Sequence, residues 1–543
     1  ITEVNPLEPH YICPKCHNLK FTDQLDKYDT GFDMPDRVCE KCGTDMNKNG
    51  LNIPFATFLG FNGDKEPDID LNFAGEYQPI AHKFVGEIFG EENIFKAGTV
   101  ATIAEKTAFG YVKKYEENTG KSFSNSEELV LANGCTGTKR TTGQHPGGII
   151  VVPADREIFE FCPVQKPANN RYAEFITTHF DYHKIDKNLL KLDILGHDVP
   201  QMIRHLQDMT GVDPLGIDIA DKKTLSIFTS IDALNIVNQD DYEFKHGTYG
   251  IPEFGTNFTR GMLDAIKPKT ISALIKISGF SHGTDVWTNN AEDLIKNGVA
   301  TIDELISCRD DIMNYLMIKG VDKSNAFKIM EAVRKNKELK QEELDIMKEH
   351  GVPDWYVESC RTLKYLFPRA HAAAYVMMAL RMAWFKVYYP SAFYCAWLST
   401  KIDNFDVNVA RGGVEAAKAA LSSLNSEDDD TSAAKKKELK VVYEVIYELL
   451  SRGCEFSLPE LGVSDPCMFN VVDDKIKIPF MAVSGVGRSA AISLAEAYKE
   501  GPFLSIDEVQ RKTKLSSTNI EDLKACGVFD ELPDSAQVSI FDM

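Results

Sequence analysis

Positive charge is the first thing this chain is short of. Its 543 residues carry 60 Lys and Arg against 81 Asp and Glu, a formal net charge of −21. That balance excludes a protein that coats nucleic acid by overall basicity. It leaves open a local basic cleft, because footprints follow the distribution of charge as well as its sum. A leader is also missing: Ile1–Leu7 has no signal-peptide pattern. The chain opens on Ile1 rather than Met, as a processed or excised chain does. No apolar run is clean enough to span a bilayer. The best, AHAAAYVMMALRMAWFKVYY (370–389), is broken by His371, Arg381 and Lys386, whereas a span needs about 20 nearly uncharged residues. It reads as a buried helix, so no membrane partner and a cytoplasmic location are expected. Paired cysteines are scarce: eight of the twelve stand singly, as in a reduced cytosolic protein. No long internal repeat shows, although the C-terminal region suggests two related helical hairpins.

What is present is a globular composition, 43% hydrophobic, in a chain too long for one core; roughly three to four domains are expected. The first 50 residues are polar and rich in Cys, Asp and Lys. After them, FATFLGF (55–61), PDIDLNF (67–73), GGIIVVP (147–153) and LLKLDILG (189–196) read as strands of a mixed α/β sheet. The stretch 98–120 reads as a helix with a polar tail, and 217–400 as mostly helical. Segment 423–440 is a charge-segregated linker or solvated helix start.

Two motifs point to metal chemistry. Cys13-x2-Cys16 and Cys39-x2-Cys42 can aim four thiolates at one tetrahedral Zn²⁺, a closed structural site; four unrelated thiols are the plain alternative, and disulfides suit this compartment less. Asp68 and Asp70 lie two apart, hence on one face of a strand. Asp193, within another apolar strand, is costly there unless paired or metal-bound. Three carboxylates on adjacent strands make a site for two Mg²⁺ ions, although surface-strand residues or turn caps would carry the same letters. Lys191 shares the face of Asp193 and can hold a phosphate oxygen. GTKRTTGQHPGGIIVVP reads as a Gly-rich turn whose Lys139, Arg140 and His145 cradle an anion before a strand; an ordinary turn reads the same way. SGFSHGTDVW (278–287) offers Ser281 and His282 in a Gly-punctuated loop. Arg369 and His371 occupy the first turn of a helix opened by Pro368, where free N–H groups favour an anion; a buried helix with a snorkelling arginine is the alternative. Val483-Ser484-Gly485-Val486-Gly487 followed by a helix reads as a helix–hairpin–helix turn that grips a DNA phosphate without reading bases.

The motifs GDKEPDIDLNF, TTGQHPGGIIVVP, LLKLDILGHD, GIPEFGTNFTRGML, SGFSHGTDVW and FPRAHAAAYVMMALRMAWFK, in this order along the whole chain, strongly resemble the bacterial C-family replicative DNA polymerases of the PolC type. The resemblance implies a multidomain α/β plus mainly α architecture: a polymerase-beta-like nucleotidyltransferase palm with a helical thumb, large helical fingers, a zinc-binding insertion and a C-terminal helix–hairpin–helix domain. The boundaries it implies are 1–50 for the zinc insertion of the palm, 51–105 and 140–215 for the palm, and 106–139 for the thumb. The fingers fall at 216–412, the tandem helix–hairpin–helix region at 413–532 and the tail at 533–543. It places the catalytic metal triad on Asp68, Asp70 and Asp193 and the triphosphate lysine on Lys191. Ser281, His282, Arg309, Phe367, Arg369 and His371 fall around the incoming nucleotide. Lys139, Arg140, Ser484, Gly485 and Gly487 fall on DNA. Gln537, Val538, Ile540 and Phe541 resemble a sliding-clamp peptide, with Val and Ile where leucines are usual. Two catalytic Mg²⁺ and one structural Zn²⁺ are the implied cofactors; primer–template DNA, deoxynucleoside triphosphates and the clamp are the implied partners. A phosphate-holding Gly/Ser loop, an oligonucleotide-binding fold, a phosphoesterase-like domain and an exonuclease of such polymerases have no counterpart here. A catalytically silent DNA- and clamp-binding part, and a two-metal nuclease, are therefore competing expectations.

Overall fold

Where the chain alternates β-branched and polar residues it builds a sheet, and where the apolar period lengthens it builds helices. A computed structural model describes residues 4–24, 27–61, 63, 69–166, 172, 175–185, 188–283, 285–424 and 431–535. Asp68 and the tail residues Gln537, Val538, Ile540 and Phe541 lie outside the described residues. The chain divides into two compact units, one of residues 1–65 with 202–543, the other of residues 66–201.

The first unit begins with a three-stranded antiparallel sheet, β1 (His10–Ile12), β2 (Leu19–Phe21) and β3 (Asn47–Asn49), in the order β2-β1-β3. FATFLGF, expected as a strand, instead holds a one-turn helix, Ala56–Leu59; Pro54 and the Thr57 hydroxyl, which donates to the Pro54 carbonyl, start the turn.

The smaller unit is a six-stranded mixed sheet of β4 (Ile69–Ala74), β5 (Ile94–Thr102), β6 (Lys139–Val151), β7 (Val164–Gln165), β8 (Thr177–Asp181) and β9 (Leu190–His197), ordered β4-β9-β6-β5-β8-β7. Because side chains alternate along a strand, both faces are covered. Ile149, Val151, Leu192 and Ile194 pack with Ala81 and Val85 of the helix Gln78–Phe89. Ile150 and Val152 join Phe95, Ala97 and Leu189 on the other face. Two expectations need correction. Residues 98–102 are the end of β5, not the start of a helix: Thr99, Val100 and Ala101 pair with Gly143, Thr142 and Thr141, and the helix begins only at Glu105. Lys139 and Arg140 sit not in a turn but on exposed positions of the long strand β6, because β5 supplies a hydrogen-bonding partner for that whole stretch. The helices Glu105–Thr119 and Asn125–Cys135 form a hairpin between β5 and β6; the second opens on a capping box of Ser124 and Glu127.

The larger unit continues in helices, including Ile271–His282, Arg309–Ile318, Arg369–Tyr388, Pro390–Ser399 and Ala433–Ser451. The last of these, beyond residue 412, joins the helix Arg369–Tyr388 through a fully buried ion pair of Glu448 with Lys386. A small sheet of β10 (Phe456–Ser457), β11 (Asn470–Val472) and β12 (Lys475–Lys477) follows, then the helices Arg488–Lys499, Ile506–Lys512 and Ser517–Ala525. Among the described residues no helix is long and apolar enough to cross a membrane.

Candidate active site and metal centres

β4 and β9 run parallel with Asp70 directly opposite Asp193. Neighbours in register point to the same face, here the face away from helix Gln78–Phe89, since Leu192 and Ile194 point toward that helix. Two carboxylates thus meet on adjacent strands as the spacing argument expects. Lys191 lies on the same face, its Nζ 2.8 Å from Asp193 Oδ2 and over the Tyr182 ring. Asp193 is one-fifth exposed, yet its Oδ1 is buried and has no hydrogen-bond partner among the described residues. The nearest polar atom across the strand is His145 Nδ1 at 3.6 Å. That nitrogen already accepts the Gly148 N–H at 2.7 Å, so it carries no proton for Asp193. A buried carboxylate oxygen left without a donor costs roughly 1–3 kcal/mol or more, and a divalent cation removes that cost. The residues present therefore fit a metal of the hard, oxygen-ligated kind.

Gly148 stands opposite Asp193 on β6, and a Cβ there would come within 2.8 Å of His145 Nδ1. Only glycine lets the imidazole fold back beside the carboxylate. The sequence HPGG is a bulge of β6: β5 advances from Lys96 to Gly98 while β6 runs from Ile149 to Gln144. Such bulges re-aim side chains and end pairing.

The four cysteines of the CxxC pairs form a second centre. Their sulfurs all lie within 4.8 Å of one another, with Cys13–Cys42 at 3.4 Å and Cys16–Cys39 at 3.6 Å. A tetrahedron with ~2.3 Å metal–sulfur bonds has edges of about 3.8 Å. Each pair is a knuckle closed by a backbone bond to the first cysteine's carbonyl, from His17 and from Gly43, both at positive φ. The Thr44 hydroxyl and N–H pull the Cys42 thiol down to about 6. An Asn18 N–H favours the Cys16 thiolate, but burial and the three neighbouring sulfurs outweigh it and push that thiol up to about 12. Four thiolates so close repel unless a cation sits among them. The donor set is closed and fits a structural Zn²⁺.

The third cluster is helical. His282 ends the helix Ile271–His282 and His371 lies in the first turn of Arg369–Tyr388. Their rings are 5.2 Å apart, with Phe367 stacked on His371 at 4.7 Å and Tyr375 at 4.7 Å on its other side. Burial works against a charge on His282, but Glu253, 3.1 Å from Nε2, and the Ser278 carbonyl, 2.6 Å from Nδ1, outweigh it and raise its pKa. Burial, then the neighbouring His282, lowers His371 to about 4. The two rings are thus shifted in opposite directions, His282 toward its charged form and His371 toward its neutral one. Ser281 stays with its own helix, its hydroxyl donating to the Ser278 carbonyl. In the sequence Glu253 carries no signal of its own beyond its place in GIPEFGTNFTRGML.

Arg309 and Arg369, both expected at the nucleotide, are engaged within the fold. Arg369 is 1% exposed, its guanidinium donating to the Leu51 and Asp29 carbonyls and pairing with the Asp29 carboxylate at 2.6 Å. Arg309 is buried, stacked over the Phe58 ring. Both charges face inward. The partner of Arg369 comes from the cysteine-rich segment, which also caps the other helix of the cluster: Asp33 accepts from the N–H groups of Ile271 and Ser272 at 2.8 and 2.9 Å.

In the C-terminal region Gly485, at φ 77°, turns the chain. Its carbonyl accepts from Asn519, Ser484 is exposed, and Gly487 caps helix Arg488–Lys499 without a side-chain bond.

Comparison with known proteins agrees with this layout. The model of the bacterial DNA polymerase III alpha NTPase domain matches residues 1–127 and 112–196, that of the bacterial DNA polymerase III alpha subunit finger domain matches 199–352, and a helix-hairpin-helix motif matches 453–538. Among curated relatives, the protein named DNA polymerase III PolC-type of Caldanaerobacter subterraneus subsp. tengcongensis is 50% identical over 541 residues. That of Halalkalibacterium halodurans is 51% identical over 541 and that of Clostridium perfringens 50% over 542. Each match covers 100% of this chain but only 37–38% of the relative. By domain models and by identity alike, the chain belongs to the PolC-type DNA polymerase III alpha family.

Proposed function

We propose that the chain is the nucleotide-adding part of a replicative DNA polymerase, extending a primer 3′-hydroxyl with deoxynucleoside triphosphates on a DNA template. The observation that carries this reading is the alignment of Asp70 with Asp193 across parallel strands, with an unsatisfied Oδ1 and Lys191 alongside. In this reading the sheet is the palm, the hairpin Glu105–Thr119 with Asn125–Cys135 the thumb, and the helical cluster the fingers. Asp70 and Asp193, with Asp68 beyond the described residues, would hold two Mg²⁺. Bound there, such ions lower the pKa of the attacking hydroxyl and offset charge on the phosphates. Asp193 would serve the hydroxyl side, and Lys191, now paired with Asp193, would offer its ammonium to a phosphate oxygen as a point charge. The His282–Phe367–His371 surface offers stacked rings and an imidazole whose charged form Glu253 favours, where the incoming nucleotide's base or phosphates would dock. The start of helix Arg488–Lys499 at Gly487, with Gly485 and the exposed Ser484, suits a duplex phosphate; Lys139 and Arg140, exposed on β6, suit another. The cysteine centre would hold one structural Zn²⁺, and Gln537, Val538, Ile540 and Phe541 would contact a sliding clamp.

Primer extension with this chain, with and without Mg²⁺, tests the reading. Mg²⁺-dependent addition of nucleotides is expected. Duplex binding with no incorporation at any Mg²⁺ concentration would leave the chain a DNA-binding part, and cleavage of the primer in place of its extension would make it a nuclease.

A further inference from the structure

Immediately beyond Asp193 the sheet comes apart. Pairing of β9 with β6 stops at Gly148 opposite Asp193, because His145–Gly147 bulge within β6 and Pro146 has no N–H to give. The Ile194 carbonyl therefore has no strand partner on that side. It is taken instead by two side chains of the helix Gln78–Phe89: Gln78 Nε2 at 2.7 Å and His82 Nε2 at 3.2 Å. Gln78 Nε2 also reaches the Pro146 carbonyl at 3.3 Å. Behind them Lys96, on β5 and 8% exposed, donates to His82 Nδ1 at 2.9 Å and to the Pro146 carbonyl at 3.4 Å. The bond from Lys96 fixes the tautomer of His82 with its proton on Nε2, directed at Ile194. The two carbonyls held this way belong to the residue after Asp193 and the residue after His145.

Resting on the reading of Asp193 as a metal ligand, we propose that Gln78, His82 and Lys96 are positioning residues for the metal site. They substitute for the missing strand partner and so fix where β9 and the HPGG bulge part, and with that the direction of the Asp193 carboxylate. A lysine buried beside an apolar sheet face, with the Phe175 ring at 5.7 Å, is an expensive way to satisfy two carbonyls; Leu or Met would pack that space at less cost. Burial lowers Lys96 to about 8, and burial together with Lys96 lowers His82, which keeps the imidazole neutral and directional. The layer lies on the sheet face opposite Asp193, so its effect reaches the site through the backbone of β9 and β6.

The test is Mn²⁺ binding to the full chain, read as loss of the free-ion electron paramagnetic resonance signal, beside the Mg²⁺ midpoint of primer extension. In Lys96→Met and in Gln78→Met the Mn²⁺ dissociation constant and the Mg²⁺ midpoint are expected to rise together by about 10-fold, the usual reach of groups that orient metal ligands, while duplex affinity and melting temperature hold. Gln78 is only half-buried, so if Lys96→Met fails to fold, Gln78→Met decides alone. Parent-like Mn²⁺ affinity and Mg²⁺ midpoint in a folded Gln78→Met overturn the proposal. If the parent binds no more Mn²⁺ than Asp193→Asn does, the metal reading of Asp193 itself has failed and this proposal falls with it; a difference between those two, with none between the parent and Gln78→Met, sinks only the positioning role.

Discussion

Asp193 and Arg369 are both charged side chains set in apolar elements, and they end differently. Asp193 gives one oxygen to Lys191 and keeps the other, buried, with no donor among the described residues. Arg369 gives its guanidinium to two carbonyls and a carboxylate and keeps 1% of its surface. In the first case the fold leaves valence unspent beside a break in a sheet. In the second it spends the charge on itself, joining the start of a helix to the cysteine-rich segment. A charged residue next to a family motif is thus not enough to make a ligand contact; what separates the two is whether the surroundings finish its hydrogen bonding.

The largest effect expected from that difference is at Asp193. Asp193→Asn removes the charge that would hold a cation and should lower nucleotide incorporation by ~10³-fold or more, about 4 kcal/mol of barrier. Duplex affinity, set by groups elsewhere, should change little. Incorporation within tenfold of the parent would place the unsatisfied oxygen outside the chemistry and remove the contrast.

At Arg369 the loss should be of stability. Arg369→Met leaves the Leu51 and Asp29 carbonyls without their donor, while the Asp29 carboxylate, about a third exposed, keeps the Ser272 hydroxyl, so a loss of roughly 1–3 kcal/mol is expected. Faster hydrogen exchange in the helices Ile271–His282 and Arg369–Tyr388, with a lowered melting temperature, is the measurement. A variant that melts like the parent but has a raised KM for triphosphate would show the arginine to be a ligand contact after all.

The cysteine centre sits between these extremes. Metal analysis should find about one Zn²⁺ per chain, as a closed four-thiolate site requires; near zero, with four titratable thiols, would remove it. Because Asp33 of the same segment caps helix Ile271–His282, Asp33→Ala should cost a further ~1–2 kcal/mol, the worth of a cap, without loss of zinc.

How far all this could be read from letters depends on how local each interaction is. The CxxC pairs were legible because each knuckle is a tight turn that carries its two ligands together. The facing of Asp70 with Asp193 needed the period of two for its direction, and the resemblance for its partner, since β4 and β9 are joined through the whole unit. The HPGG bulge was read as a turn because its glycines are real; only the pairing with β5 on either side makes it an interruption of one strand. GTVAT was taken into a helix because a helix does follow, two residues later. Asp29, Asp33 and Leu51 gave no sign of their partners at 271, 272 and 369, for those contacts are made across hundreds of residues by backbone groups that every residue carries.

The smallest and most specific expectation concerns the two histidines that packing sets apart. His282 is raised by Glu253 and the Ser278 carbonyl against burial. Its contribution to stability is therefore complete below about 6.5, the ordinary value, and fades as pH climbs through its folded pKa. His371 is lowered to about 4, so its contribution is present above about 6.5 and fades as pH falls toward 4, because the unfolded chain takes that proton first. Carbon-13 labelled histidine spectra should show the two titrations on opposite sides of the ordinary value. Glu253→Gln takes away the charge that offsets burial, so His282 should drop below that value and His371, no longer beside a cation, should rise from about 4. If His282 stays high in Glu253→Gln, the positive charge in this cluster is fixed by something other than the carboxylate 3.1 Å away, and the contrast between charge offered and charge consumed would have to be redrawn on this surface.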